Sequence, residues 1–283
     1  MSKLVIASFS NNVISFSKVG EVMDTHAISA GDVNNDGLVD FIQFPIPGEY
    51  NDQWDFYSTV PSVSINTGNF NFNTQPLIPE LEFNSWHATG YEIFDLNNDS
   101  YLDVVVGWNI GVVREEQYSD HYHSILHNAV VLWGNGTGTY SLNNKSILEE
   151  SLLSSTDRHS SILGFGFSDI DTDGDVDVII TTTREEPDAN FESGLYYDSY
   201  YLLTFENNTN KLFTESTIVE GAVDETRTTF TNFYKIMSID LDSDGLYDLI
   251  PFNIANLGQN SNYSSNLFWK NIGESYVKSW YSE

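Results

Sequence analysis

Four nine-residue segments gather the side chains best placed to do chemistry: Asp32-Val33-Asn34-Asn35-Asp36-Gly37-Leu38-Val39-Asp40, Asp95-Leu96-Asn97-Asn98-Asp99-Ser100-Tyr101-Leu102-Asp103, Asp169-Ile170-Asp171-Thr172-Asp173-Gly174-Asp175-Val176-Asp177 and Asp240-Leu241-Asp242-Ser243-Asp244-Gly245-Leu246-Tyr247-Asp248. Each offers side-chain oxygens at positions 1, 3 and 5, a turn residue at 6 and another carboxylate at 9. Alternate residues point inward, so the oxygens converge and, with a backbone carbonyl at position 7, suit a hard cation of calcium's size. An EF-hand closes with glutamate at position 12, which here is Gln43, Val106, Ile180 or Pro251. These loops are therefore not EF-hands. Asp-Asn-Gly segments also serve as plain turns, but fourfold repetition weighs against that reading. So does the third loop, where two unit charges about 5 Å apart repel by roughly 1 to 3 kcal/mol at effective dielectrics of about 80 to 20. Ser100 replaces the loop glycine, so the second loop either holds a non-glycine residue at positive φ or bends differently. Its site is expected to be the weakest or empty.

The elements that must position these loops repeat with them. The first aspartates are 63, 74 and 71 residues apart. An apolar-aromatic run precedes each loop (26–30, 90–94, 163–168, 234–239) and a β-branched or apolar run follows it (41–42, 104–106, 178–180, 249–250). Both read as strands. Each unit then holds a second pair of extended runs around an Asn/Gly turn, at 63–68, 130–136, 201–208 and 267–273; that is a hairpin signal. Each unit is thus four strands, A to D, with the acidic loop between A and B. A hairpin at 3–9 and 13–19 precedes the first unit, making eighteen strands. The expected fold is an all-β, β-propeller of four-stranded blades: four full repeats plus the N-terminal hairpin, about five blades, as a compact ring, an open arc or an arrangement completed by another chain. A β-sandwich explains the strands but not the repeats. One domain, 1–283, is expected, with repeats near 1–20 (partial), 21–80, 81–150, 158–220 and 228–283.

On these residues the chain resembles the FG-GAP and VCBS repeat families, calcium-loop β-propellers also found in the heads of integrin α subunits. The resemblance covers nearly the whole chain. It implies up to four structural calcium ions, held by Asp32, Asn34, Asp36, the Leu38 carbonyl and Asp40; by Asp95, Asn97, Asp99, the Tyr101 carbonyl and Asp103; by Asp169, Asp171, Asp173, the Asp175 carbonyl and Asp177; and by Asp240, Asp242, Asp244, the Leu246 carbonyl and Asp248.

Composition narrows the function. With 41 acidic against 11 basic residues the formal charge is −30, which repels phosphate backbones and anionic lipid, so nucleic-acid binding and membrane insertion are not expected. Fifteen of the 41 acids lie in the four loops, so part of this charge is a local binding requirement. There is no cysteine, hence no disulfide or thiolate chemistry. No G-x-S-x-G, H-E-x-x-H or phosphate-binding loop is present. His121, His123 and His127 share one side of an extended segment and with Asp120 offer a transition-metal set; ordinary hydrogen bonding is the plainer role. The long B–C connections bring aromatic rings beside carboxylates and amides. Tyr50, Trp54, Tyr57, Arg114, Tyr122, Arg184 and Tyr197 are the candidate ligand-binding residues there, against the reading that these loops only seal the rim. The leading expectation is a non-catalytic, calcium-stabilised extracellular propeller for adhesion, assembly or binding of a glycan or protein. The alternatives are a subunit of a surface filament or virion appendage that binds copies of itself, and a propeller-fold polysaccharide lyase or hydrolase. Surface display or secretion fits calcium sites of about 0.1 to 1 mM and the N-x-S/T sequences at Asn98, Asn135, Asn144, Asn207 and Asn262.

Overall fold

A computed structural model of the chain describes residues 2–10, 13–22, 28–44, 61–69, 71–80, 90–107, 129–149, 159–185, 197–208, 211–220, 232–255, 267–273 and 276–280. Among them there are eighteen strands and no helix. β1 (Ser2–Ser10) and β2 (Val13–Val22) form an antiparallel hairpin on their own. The remaining strands make four sheets in which each strand pairs with its sequence neighbours. They are β3 (Ser29–Gly31), β4 (Asp40–Gln43), β5 (Ser62–Asn66) and β6 (Phe72–Pro76); β7 (Tyr91–Phe94), β8 (Asp103–Val106), β9 (Ala129–Leu132) and β10 (Lys145–Leu148); β11 (His159–Ser168), β12 (Asp177–Glu185), β13 (Tyr197–Asn208) and β14 (Leu212–Glu220); and β15 (Asn232–Ile239), β16 (Asp248–Ala255), β17 (Leu267–Asn271) and β18 (Tyr276–Trp280).

The middle strands explain why these sequences form sheets that need cover on both faces. Every residue of β8 (Asp-Val-Val-Val) and of β9 (Ala-Val-Val-Leu) is buried, so neither strand has a solvent side and neither alternates in polarity. Four antiparallel up-and-down sheets in series, with doubly covered middle strands, make this an all-β chain of the β-propeller class. Trp133 and Trp269 are buried in the core.

The chain divides into two compact units, Met1–Val104 with Leu132–Lys145, and Val105–Val131 with Ser146–Glu283. In the first, β3 and β7 run close enough that a Cβ at Gly31 would lie 2.5 Å from Leu102 Cδ1 and 2.8 Å from Ile93 Cδ1. Glycine is the residue that permits this approach. Ser29 stitches the same pair of strands, its hydroxyl donating to Glu92 Oε1 at 2.8 Å and accepting from the Ile93 N–H at 3.2 Å. In the second unit Gly166 of β11 packs on Ile236 of β15, where a Cβ would meet side chain and carbonyl at 3.3–3.4 Å. Ile179, Leu202, Ile236, Leu249 and Trp269 form one core cluster there, drawn from two successive sheets. Within each unit the first strands of its two repeats, β3 with β7 and β11 with β15, thus lie against each other.

Candidate metal centres

Each acidic loop is fastened at its base by the position-9 aspartate, which is 0–1% exposed in all four repeats. One carboxylate oxygen accepts the N–H of position 2: Val33 to Asp40 at 3.1 Å, Leu96 to Asp103 at 3.0 Å, Ile170 to Asp177 at 2.6 Å and Leu241 to Asp248 at 3.2 Å. The other oxygen accepts an N–H at or just past the end of the third strand, from Asn66, Gly134, Asn207 or Asn271, each at 2.8 Å. A buried carboxylate that accepts two backbone donors holds the A–B loop against the C–D turn. The sequence marks these aspartates as closing ligands of a cation; their observed partners are backbone N–H groups, and only Asp177 also joins a cluster of acids.

The base carries a substitution that preserves its bonding. Asn66 and Asn207 donate their side-chain amides to the position-8 carbonyls of Val39 and Val176, at 3.1 and 3.0 Å. The second repeat has Gly134 instead, because a Cβ there would lie 2.3 Å from the Leu102 carbonyl oxygen. The Tyr140 hydroxyl donates to that carbonyl at 2.8 Å and replaces the missing amide. Burial, with the carboxylates of Asp103 and Asp40, raises the Tyr140 phenol well above its ordinary value, so it remains a donor.

The tips share one backbone path. Position 4 is left-handed in every loop, at Asn35 (φ 59°), Asn98 (φ 56°), Thr172 (φ 63°) and Ser243 (φ 62°). Position 6 is left-handed too, at Gly37, Gly174 and Gly245 and also at Ser100 (φ 71°). The second loop therefore does not bend differently: Ser100 takes the glycine conformation and donates its N–H to Asp95 Oδ2 at 2.9 Å, as Gly37 does to Asp32 at 2.7 Å. At position 7, the N–H groups of Leu38, Tyr101, Asp175 and Leu246 donate to the position-5 aspartate at 2.9–3.0 Å.

What differs is how the tip charge is met. In the first two loops an amide at position 3 caps the position-5 carboxylate: Asn34 Nδ2 donates to Asp36 Oδ2 at 2.8 Å and Asn97 Nδ2 to Asp99 Oδ2 at 3.0 Å. The third loop has no amide. Carboxylate oxygens of Asp169, Asp171 and Asp177 lie within 4.8 Å of one another, and Asp169 Oδ1 is buried without a hydrogen-bond partner among the described residues. An orphaned carboxylate oxygen beside two others fits a hard cation. In the fourth loop Asp240, Asp242 and Asp244 are grouped in the same way, but Lys270 Nζ bonds Asp242 Oδ2 and lies 3.3 Å from Asp244 Oδ2.

Electrostatics follow burial. Desolvation pushes Asp103 up to about 6 and Asp177 up to about 7, against the pull of two backbone donors each; Asp40 is raised for the same reason. Asp171 is raised by burial and by the neighbouring Asp173 and Asp169 charges. Asp244 moves the other way, held down by the Leu246 N–H and by Lys270.

The sequence reading did not single out Lys270, the third-strand N–H donors or the left-handed position 4. An Asn or Gly recurring in each C–D turn was the available signal for the donors. Tyr50, Trp54, Tyr57, Arg114 and Tyr122, with His121, His123 and His127, lie outside the described residues. Arg184 and Tyr197 are placed only as backbone, on β12 and β13, where Glu185 pairs with Tyr197 and Arg184 with Ser199.

No family model and no curated protein matches the chain. Among solved structures it is similar to the rhamnogalacturonan lyase YesW, with a TM-score of 0.49 and 12% identity over 96% of this chain and 49% of that one. It is also similar to the Bombyx mori GH32 β-fructofuranosidase BmSUC1, with a TM-score of 0.45 and 16% identity over 98% of this chain and 56% of that one. The chain thus spans about half the length of these structures. The expectation of a non-catalytic propeller for adhesion, assembly or glycan or protein binding is corrected by this comparison. Both matched structures are of enzymes, and a frame of this kind does not by itself decide between binding and catalysis.

Proposed function

We propose that the chain is a calcium-ordered β-propeller that acts on polysaccharide outside the cell, as a lyase or hydrolase, and that its FG-GAP/VCBS-like loops bind calcium for structural reasons. The observation that carries the reading is a division of labour between strand ends. The A–B loops and C–D turns share one end of each sheet, where the position-9 aspartates tie them together. Their acids are engaged with backbone donors and with one another, which leaves them unsuited to proton transfer. The connections from β4 to β5, β8 to β9 and β12 to β13 join the opposite strand ends.

Those connections, with the strand ends of β12 and β13 that flank the third, hold the chemistry a saccharide substrate needs. Tyr50, Trp54 and Tyr57 occur with Asp52 and Asp55; Arg114 and Tyr122 with Glu115 and Glu116; Arg184 and Tyr197 with Glu185 and Glu186. Aromatic faces stack on sugar rings, and paired carboxylates supply the acid and base of glycosidic cleavage. Calcium, when bound, supplies positive charge that relieves repulsion within the tips. The cation-binding residues would be Asp169, Asp171, Asp173, Asp177 and the Asp175 carbonyl in the third loop, with the corresponding residues of the first and second loops.

The test is turnover by the full chain in calcium on a panel of acidic and neutral polysaccharides, reading unsaturated ends for a lyase and new reducing ends for a hydrolase. We expect activity on at least one, lost on substituting Asp55→Asn, Glu116→Gln or Glu186→Gln and kept in Asp99→Asn. A folded, calcium-loaded protein that turns over none of them, or whose activity survives all three substitutions, overturns the reading.

A further inference from the structure

The four loops are alike in sequence but not in what neutralises them, and the third and fourth differ most. Position 3 is a carboxylate in both, Asp171 and Asp242, where the first two loops have an amide. Their surroundings diverge one residue before the third-strand asparagine. Register fixes the equivalence: Phe205 pairs with Val178 and Trp269 with Leu249, and Val178 and Leu249 each directly follow the position-9 aspartate. The next residues, Glu206 and Lys270, therefore occupy corresponding places, as do Ile65 and Trp133 in the first two repeats. The third loop has five aspartates with Glu206 beside them in register, and the fourth has four with Lys270.

Lys270 is the only one of these four residues that is a cation, and it is bonded to the position-3 and position-5 carboxylates, Asp242 and Asp244. These are two of the oxygen donors that a divalent ion in this loop requires. An ammonium there and a divalent ion cannot both take the inner face of the same carboxylates. Among the described residues no cation bonds the third loop, which keeps a buried orphan oxygen on Asp169.

We propose that Lys270 is the built-in counter-ion of the fourth loop: it orders that loop without metal and excludes divalent cations from it at concentrations that fill the third. The proposal rests on the reading of the acidic loops as calcium sites and makes those sites unequal, the third ion-dependent and the fourth self-sufficient. A tethered ammonium competes at a fixed, high effective concentration, whereas calcium must be drawn from solution.

The experiment compares the full-length chain with Lys270→Met, which keeps the stem and removes the charge, with Lys270→Arg, which keeps a cation, and with Asp171→Asn as a control in the third loop. Calcium binding is measured by calorimetric titration, and melting with chelator and with calcium. Lys270→Met should bind one more calcium ion than the parent, or bind one ion about tenfold more tightly. It should melt lower than the parent in chelator and recover in calcium. Lys270→Arg should behave like the parent, and Asp171→Asn should lose binding at one site. Unchanged calcium binding and unchanged metal-free melting in Lys270→Met overturn the proposal. If no protein binds calcium, the calcium reading fails separately and metal-free melting still decides the role of Lys270. Lower melting of Lys270→Met, reversed by adding Asp242→Asn and Asp244→Asn, sustains it; melting equal to the parent ends it.

Discussion

The base and the tip of each acidic loop obey different rules. At the base, four aspartates in four repeats make the same two hydrogen bonds to backbone, are almost fully buried, and differ by a few tenths of an ångström. At the tip the backbone path is again shared, but the side chains meet their charge in three ways: an amide cap in the first and second loops, bare carboxylates in the third and a lysine in the fourth. The base is therefore a piece of tertiary structure that stands without an ion, because its acceptors are saturated by donors the chain itself supplies. The tip carries the repulsion, and each loop meets it with the side chains its own sequence supplies.

The largest expected effect attacks the base. Asp103→Asn leaves one backbone N–H facing an amide donor in a buried site, and should cost about 2 to 4 kcal/mol by urea denaturation. Asp99→Asn at the exposed tip should cost under about 1 kcal/mol in chelator. Equal costs would erase the distinction between base and tip. Next in size is the pH response of metal-free protein. Asp103 and Asp177 rise from 3.8 in the unfolded chain to about 6 and about 7, so the folded form binds more protons between those values. Their stabilising contribution is complete below about pH 4 and is lost as pH rises through 6 to 7. Melting in chelator should therefore be higher at pH 5 than at pH 8, and excess calcium should reverse the order by favouring the ionised forms. Tyr140→Phe removes the donor to the Leu102 carbonyl and should cost about 1 to 2 kcal/mol by the same denaturation assay; no loss would mean that water serves the carbonyl equally well. The smallest effect is a gain. Thr172 is a β-branched residue at φ 63°, and Thr172→Asn, copying the first two loops, should stabilise by under about 1 kcal/mol.

Much of this was legible in the sequence because it is local. The nine-residue motif, the β-branched runs after it and the Asn/Gly turns lie within one stretch of chain, and their types report strand, loop and turn directly. Ser100 was flagged as a departure, and the structure settles it as a glycine-like conformation. The distant partner of each position-9 aspartate was not legible, since it is a backbone N–H group 23 to 31 residues away with no side-chain signature. Lys270 was hidden for a related reason: what it touches depends on the register of β16 on β17, which a single sequence does not print. The activity was least legible. Its expected residues sit in long connections whose composition suggests sugar contact without fixing which groups meet.

The exchange of Asn for Gly134 with Tyr140 limits the order in which such a repeat can change. If asparagine gives way to glycine first, the position-8 carbonyl is stranded. A tyrosine that arrives first leaves it served throughout, since a carbonyl oxygen has room for two donors. The hydroxyl of Tyr140 reaches Leu102 from six residues beyond Gly134, so the two positions act as one structural unit. Grafting the turn of one repeat into another should succeed only when both travel together.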